Sequence, residues 1–152
     1  MCIRDRIEAD PEADFEDVCG QIRRYQASLR TCFTLENFDN LIKNGRMRPI
    51  VGTLLRSLGI HIIADATAEG TIHVADKARG VGKTYRAITA LMKASKDCTD
   101  AEVVISHCEN LEGAMALKRQ ILADLPVKQV DLLSCRGLTS FYAMEKGLIV
   151  GY

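Results

Sequence analysis

The sequence lacks the features that mark several large classes of protein. Its 20 basic and 20 acidic side chains balance, so the formal net charge of the 152 residues is zero. No basic stripe is interleaved with aromatic residues, which argues against nucleic acid as the main partner. The apolar run at residues 60–64 is far too short to cross a bilayer. Residues 1–6 have no apolar core and do not look like a secretory signal.

Cysteine occurs six times, but without the spacing of a metal or redox site. There is no C-x-x-C pair and no clustering of cysteine with histidine. A zinc site or a local redox motif is therefore not expected, and scattered thiols suit a reducing cytosol. No Ser/His/Asp order, glutamate pair or metal-spaced set appears either. The residues thus give no reason to expect an enzyme, a metal or a cofactor.

What the sequence does have is the composition of a globular core, with 47% hydrophobic and 26% charged residues. Hydrophobic patterning predicts six strands, at residues 30–35, 60–66, 71–78, 101–108, 127–135 and 147–152. It predicts helices at residues 15–28, 36–44, 81–95, 110–125 and 138–144, and one more that opens at Pro49. Hairpin and crossover connections both occur. We therefore expect an α/β domain with a mixed six-stranded sheet in two layers, helices on one face.

The stretch from Leu35 to Arg46 is the most informative part of the chain. Its apolar residues fall at helical spacing, and Asn44-Gly45 is a signal for a left-handed helix cap. Arg46 follows directly, so the pattern predicts a cation fixed just beyond a helix end. A guanidinium there can hold an anion through a bidentate contact. A solvated arginine after a cap has the same pattern, and spacing alone does not separate the two.

Two further patterns have both a functional and a structural interpretation. Residues 80–84 read Gly-Val-Gly-Lys-Thr, but Lys77 stands where a phosphate-binding loop needs its first glycine. The glycines therefore fit a turn from strand into helix. His107 ends an apolar strand, where α/β domains often place functional groups, although a hydrogen-bonded structural histidine fits as well. His61 and His73 fall in the predicted hairpin and are expected at the surface.

Four motifs, in the right order, resemble the second domain of DegV-family proteins. They are Leu35–Leu41 with Asn44-Gly45-Arg46, Lys77–Gly80 before a helix, Ile105–Cys108 at a strand end, and Cys135–Leu138 followed by Gly147–Val150. The resemblance covers the chain from about residue 12 to its end. It implies a six-stranded mixed sheet carrying helices. It also implies a non-catalytic carrier that binds a long-chain fatty acid in an apolar tunnel and presents the carboxylate to a fatty acid kinase.

The resemblance also implies which residues hold the carboxylate. Arg46 and Tyr142 are the candidates on this chain, because Tyr142 aligns where many family members have histidine. A phenol can donate a hydrogen bond to a carboxylate but carries no positive charge. Glu145 and Lys146 replace part of a glycine-proline-glycine turn. We therefore expect a head-group site that differs from that of many relatives.

Other positions are candidates for contact with the acyl tail of the fatty acid and with the kinase. Candidates for the wall of the acyl tunnel, with ordinary core as the alternative, are Leu54, Leu55 and Leu58. The resemblance assigns Arg79, together with Lys77 and Lys83, to docking of the kinase or to transient contact with a membrane surface. Exposed cations steer an acidic partner by raising the encounter rate.

The resemblance divides the chain into three parts. Residues 1–6 resemble translated adapter sequence, residues 7–28 a connecting helix from an N-terminal domain, and residues 29–152 the C-terminal domain. The family's serine and threonine carboxylate contacts come from the first domain, so we expect this chain alone to bind fatty acid weakly or not at all. Two alternatives stay open. One is a small α/β enzyme using His107 with Cys108 or Ser106, and the other is an interaction domain with no small ligand.

Overall fold

The computed structural model describes residues 7–47, 60–67 and 70–152. Its helices are α1 (Phe15–Ser28), α2 (Asp39–Lys43), α3 (Val81–Ser95), α4 (Leu111–Asp124) and α5 (Gly137–Ala143). Its strands are β1 (Thr31–Leu35), β2 (Ile60–Ala66), β3 (Ile72–Arg79), β4 (Glu102–His107), β5 (Gln129–Ser134) and β6 (Leu148–Gly151). The helix expected to open at Pro49 lies outside the described residues.

The strands form one sheet in the order β3-β2-β1-β6-β4-β5. Strands β4 and β5 are parallel and are joined through α4, whereas the other neighbouring pairs are antiparallel. A parallel pair needs a crossover connection, and α4 provides it. The expected α/β domain with a mixed six-stranded sheet is therefore confirmed.

One surface of the sheet, here called the helix face, is closed by the long helices α3 and α4. It carries Cys32, Ile63, Ile105 and Val150, whose side chains are all completely buried. Helices α3 and α4 cover these residues with Ile88, Met92, Leu117 and Ile121. Complete burial of one such aliphatic side chain stabilises the fold by about 1.5–3 kcal/mol. Much of the hydrophobic stabilisation of the described chain therefore lies on this face.

The opposite surface, here called the cavity face, carries the alternate side chains of the same strands. Phe33, Ile62 and Ile149 belong to it, and the short helices α2 and α5 pack there through Leu41 and Ala143. The expectation of helices on one face thus holds for α3 and α4, but not for α2 and α5. The short ones bury their few apolar residues on the other side, because α3 and α4 already occupy the helix face.

Local backbone geometry explains one difference from the sequence-based expectations and agrees with another expectation. Helix α2 starts at Asp39 rather than residue 36, because the side-chain oxygen of Asn37 accepts the Asp39 amide at 2.9 Å and forms a turn there. Gly80 joins β3 to α3 with φ 85°, so the glycine does turn the strand into the helix, as expected.

Helix α1 has fewer buried residues than the other two long helices, α3 and α4. Asp14 caps it by accepting the Glu16 amide at 3.4 Å, and Val18 is its buried residue. The division of the chain at residue 29 stays a prediction. In the described ranges, no helix is long and apolar enough to span a bilayer.

Candidate functional site

Arg46 is held at the end of α2 by a two-bond cap. Gly45 has φ 68°, and its amide donates to the Ile42 carbonyl at 3.0 Å. The Arg46 amide donates to the Leu41 carbonyl at 2.8 Å. This pair of bonds is a Schellman motif, in which the left-handed residue is usually glycine. The left-handed cap expected from the sequence is confirmed, and it fixes the backbone from which the Arg46 side chain extends.

Tyr142 lies near the end of α5, on the same side of the sheet. Its half-buried ring packs edge-to-face against Phe141, with ring centroids 5.1 Å apart. The side-chain amide of Asn40 in α2 donates to the Phe141 carbonyl at 2.6 Å. That bond ties the helix that precedes Arg46 to the helix that carries Tyr142. Sequence reasoning did not assign Asn40 this role, because its acceptor is distant in the chain.

Both residues line one cavity of about 530 Å³ on the cavity face, here called the first cavity. Its apolar lining consists of Phe33, Leu35, Leu41, Ile72, Ala143 and Ile149. Gly45, Gly70 and Thr71 complete the described lining. A guanidinium and a phenol beside hydrocarbon walls suit an amphiphile with an anionic end. The structure therefore brings together the two residues that the resemblance selected for a carboxylate.

The charge on Arg46 is available to a ligand. The side chain is exposed, and no carboxylate among the described residues pairs with it. Burying an unpaired carboxylate is costly, whereas a hydrogen bond to a cation offsets much of that cost. Within the described residues, Arg46 can therefore stabilise an acid group at the cavity without first breaking an ion pair.

The apolar walls differ from those expected. Leu54, Leu55 and Leu58 lie outside the described residues, so their assignment to a tunnel stays a prediction. Strands β1, β3 and β6 supply walls that sequence reasoning missed. Alternation along β1 does place Phe33 and Leu35 opposite Cys32. Which of the two faces holds a cavity depends on where the helices pack. The local sequence pattern does not predict that packing.

The three candidate docking cations lie around the junction of β3 and α3. Lys77 and Arg79 are exposed on β3, an edge strand, and pair in register with Ile62 and Ile60. Lys83 is exposed in the first turn of α3. The structure thus groups these cations near one end of β3, while Ile72 at the other end lines the first cavity. Their role in docking stays a prediction.

A second cavity of about 310 Å³ lies on the helix face, between the first turns of α3 and α4. Thr34, His61 and Tyr85 contribute to its lining. Burial, together with the negative charges of Glu36 and Glu112, raises the pKa of the Tyr85 phenol. The side-chain hydroxyl of Thr34 is buried, and nothing in the described part of the chain accepts or donates a hydrogen bond to it.

Two histidines expected at the surface behave differently. His61 is half-buried against the second cavity, so that expectation is wrong for it. His61 lies two positions before Ile63 in β2, so its side chain is on the helix face. His73 is exposed as expected, and its Nδ1 lies 2.9 Å from Asp65 Oδ1.

The geometry does not support the enzyme alternative. His107 is buried on the helix face, and its Nδ1 accepts the Asn110 amide at 3.3 Å, as a structural histidine does. Cys108 packs against the cluster on the cavity face. A nucleophile and its base must lie within hydrogen-bond reach, and opposite faces of a sheet prevent that. The described residues contain no group of three His, Cys, Asp or Glu side chains placed to hold a metal.

The turn after α5 has non-glycine residues at positions whose backbone conformation favours glycine, which strains the backbone. Met144 and Lys146 both have positive φ, of 52° and 65°. Gly147 is required where it stands, because a Cβ atom there would collide with the Ala143 carbonyl oxygen. The side chain of Lys146 forms an exposed ion pair, with its Nζ 3.7 Å from Glu36. The turn therefore carries strain that glycine would relieve.

Comparison with known proteins agrees with this architecture. The family model described as "Uncharacterised protein, DegV family" matches residues 8–148. A DegV domain-containing protein of Streptococcus pneumoniae is 34% identical over 144 residues, which are 94% of this chain and 50% of that protein. The chain thus spans about half the length of the curated relatives it matches.

Solved structures give the same result. The Fatty Acid Kinase (Fak) B3 protein of S. pneumoniae loaded with linoleic acid has a TM-score of 0.84 and 34% identity, over 95% of this chain and 51% of that one. A DegV family protein from Eubacterium eligens loaded with heptadecanoic acid has a TM-score of 0.87 and 27% identity, over 98% and 54%. One from Ruminococcus gnavus, refined with vaccenic acid, has a TM-score of 0.85 and 30% identity, over 97% and 52%. By sequence and by fold, this chain belongs to the DegV family.

Proposed function

We propose that this chain takes part in binding a long-chain fatty acid, without catalysis, and in presenting its carboxylate to a fatty acid kinase. The observation that carries the proposal is the first cavity, which combines Arg46 and Tyr142 with an apolar lining. The relatives loaded with linoleic and heptadecanoic acid, at 34% and 27% identity, support the choice of ligand.

The acyl chain and the carboxylate of the fatty acid would contribute separately to affinity. Each methylene that leaves water for the wall formed by Phe33, Leu35 and Ile149 stabilises the complex by about 0.8 kcal/mol. The guanidinium of Arg46 would pair with the carboxylate, and the hydroxyl of Tyr142 would donate a second hydrogen bond. Affinity would therefore depend on acyl length through the tail and on Arg46 through the head group.

The kinase is the partner that this function requires, and Arg79, Lys77 and Lys83 are the proposed contacts. All three are exposed, and they lie on two adjoining elements rather than around the cavity. A partner with an acidic surface would associate faster with this cluster at low salt, since screening weakens exposed charges. The comparisons give no support for contact with a membrane.

The test is a titration of oleate against the chain and three variants, carried to concentrations that measure the weak binding expected of this chain alone. Arg46→Ala should weaken binding by at least about 10-fold, because a hydrogen bond to a charged group contributes about 1.5–3 kcal/mol. Tyr142→Phe should weaken it by a few-fold, and Arg119→Ala, an exposed arginine on α4, should leave it unchanged. Equal affinity of the Arg46→Ala variant and the parent would contradict the proposal.

A second measurement addresses the part of the site that this chain does not span. Oleate should bind the full-length S. pneumoniae relative more tightly than this chain, as expected if further carboxylate contacts lie in the other half. The interaction-domain alternative predicts something else, namely that native mass spectrometry finds no lipid on this chain and that oleate does not bind it.

A further inference from the structure

The register of β4 and β5 places two cysteines opposite each other. Every paired residue of β5 is 27 positions after its partner in β4, from Glu102 with Gln129 to His107 with Ser134. The next step of the same register pairs Cys108 with Cys135. The backbone agrees, since the Cys135 amide donates to the His107 carbonyl at 2.8 Å, the bond that a parallel pairing of 135 with 108 requires.

The two side chains also lie on the same side of the sheet. Both pack against the cluster of the cavity face, and both are half-buried. Residues directly opposite on neighbouring strands have backbones about 4.8 Å apart. That spacing lies within the Cα separation of about 4.4–6.8 Å found for disulfides. Each cysteine follows the last residue of its strand, so the backbone can adjust without disrupting the ladder.

We propose that Cys108 and Cys135 form a dithiol site of oxidative modification, at which a hydroperoxide produces an intramolecular disulfide. Sequence spacing hides the pair, because the whole of α4 separates the two residues. The parallel register alone brings them together.

The chemistry balances with hydrogen peroxide as the oxidant. The Cys108 thiolate attacks one peroxide oxygen, which breaks the O–O bond, gives a sulfenic acid and releases water once the leaving hydroxide takes a proton. The Cys135 sulfur then attacks the sulfenic sulfur, the S–S bond forms and a second water leaves. Burial raises the pKa of the Cys135 thiol, with a further contribution from Cys108, so Cys135 suits the second, resolving step.

The bond would act on the helix that carries Tyr142. Cys135 is followed by Arg136 and then by the first residue of α5. Cys108 is held from the other side, where its amide donates to the Gly147 carbonyl at 3.0 Å and its carbonyl accepts the Lys146 amide at 2.8 Å. An S–S bond would thus join the segment entering α5 to Cys108, which is itself hydrogen-bonded to the chain entering β6. Its formation can be detected whether or not the protein binds a fatty acid, because the readout is a peptide mass.

The experiment maps the bond in the unmodified sequence. The folded chain is treated with hydrogen peroxide, free thiols are blocked with N-ethylmaleimide, and the protein is cut after Lys, Arg and Glu. Cutting after Glu102 matters, because Cys98 and Cys108 otherwise share one peptide. We expect residues 103–109 linked to residues 129–136, with a mass about 2 Da below the sum of the two peptides because two hydrogens leave. Dithiothreitol should separate the pair again.

Variants supply the controls. Cys108→Ser and Cys135→Ser should each abolish the linked peptide, while Cys19→Ser should leave its yield unchanged. Phenylarsine oxide, which bridges close thiols, should bind the reduced parent in a one-to-one complex and lose that complex in either of the first two variants. Recovery of both peptides from the oxidised parent with blocked thiols, with a sulfinic acid, or linked to other cysteines would overturn the proposal.

Discussion

The two faces of the sheet are built from the same strands but are covered very differently. On the helix face, Ile105 and Val150 are completely buried beneath α3 and α4. On the cavity face, Ile149 is only half-buried, and Phe141 of α5 is 46% exposed. Within the described residues, the cavity face therefore holds a volume of about 530 Å³ that side chains leave unfilled. The comparison indicates that one face contributes most to stability and the other provides space for a ligand.

The largest expected effect comes from making the same isoleucine-to-alanine change on each face of the sheet, in the neighbouring strands β4 and β6. Ile105→Ala should lower the free energy of unfolding by about 3–4 kcal/mol, because it opens a hole in a fully packed core. Ile149→Ala should lower it by only about 1–2 kcal/mol, since that side chain already borders a cavity. Urea unfolding of both variants measures the difference, and oleate affinity should fall only for Ile149→Ala. Equal losses of stability would erase the distinction between the faces.

Alkaline pH should act on the helix face through a buried thiol. Burial, assisted by the negative charge of Asp65, raises the pKa of Cys32 from 9.0 to about 12. Between those values the unfolded chain releases a proton that the folded chain keeps. Stability is therefore complete below pH 9 and falls as the pH rises, by up to about 1.4 kcal/mol per pH unit.

Denaturant unfolding at a series of pH values measures that slope. Cys32→Ala should be less stable at neutral pH, and its decline from pH 9 should be much shallower, since only the smaller contributions of Cys98 and Cys135, whose pKa values burial also raises, remain there. A decline above pH 10 should remain in this variant, because burial raises the pKa of Tyr152 from 10.0 to about 12. An unchanged slope in Cys32→Ala would exclude this thiol as the cause.

A smaller effect is expected at the turn beside the cavity face. Met144 has φ 52° and ψ −179°, a region that essentially only glycine occupies without strain. Met144→Gly should therefore raise the free energy of unfolding by about 1 kcal/mol, despite the greater freedom of glycine in the unfolded chain. Thermal unfolding measures the change. A lower midpoint would mean that side-chain contacts of Met144 outweigh the backbone strain.

The smallest effect compares two buried threonines that line the second cavity. Thr84 donates from its hydroxyl to the Gly80 carbonyl at 3.1 Å, whereas the Thr34 hydroxyl has no partner in the described residues. Thr84→Val should cost about 1 kcal/mol, because it removes a satisfied hydrogen bond. Thr34→Val should be neutral or stabilise by up to about 1 kcal/mol. A loss for Thr34→Val as large as that for Thr84→Val would reveal an ordered partner for Thr34, such as a bound water.

Much of the fold could be predicted from local patterns. Alternation located the six described strands, and Asn44-Gly45 identified the cap before Arg46, because backbone conformation at such points depends on the residue itself. The shortened start of α2 was missed, since the Asn37 turn competes with helix and leaves no periodic signal. His61 was misjudged for a different reason. The position of a residue in a hairpin does not indicate which face of the hairpin a helix will cover.

The candidate site was predicted less completely. Resemblance, rather than spacing, connected Arg46 to Tyr142. The structure adds that both line one cavity and that the bond from Asn40 to the Phe141 carbonyl joins the helices beside them. The walls Phe33, Leu35 and Ile149 were not predicted as such. Their alternation is visible in the sequence, but it fits a solid core equally well.

The sequence by itself determined the order of helices and strands, the glycine turns at Gly45 and Gly80, and the cation after the first of them. These features depend on residues close together in the chain, where φ preferences and hydrophobic periodicity act directly. Only the tertiary structure decided that α2 and α5 pack opposite α3 and α4, that a cavity opens beside Arg46, and that Cys108 faces Cys135. Those outcomes depend on which surfaces remain to be buried once distant segments have paired, and no short segment encodes that competition.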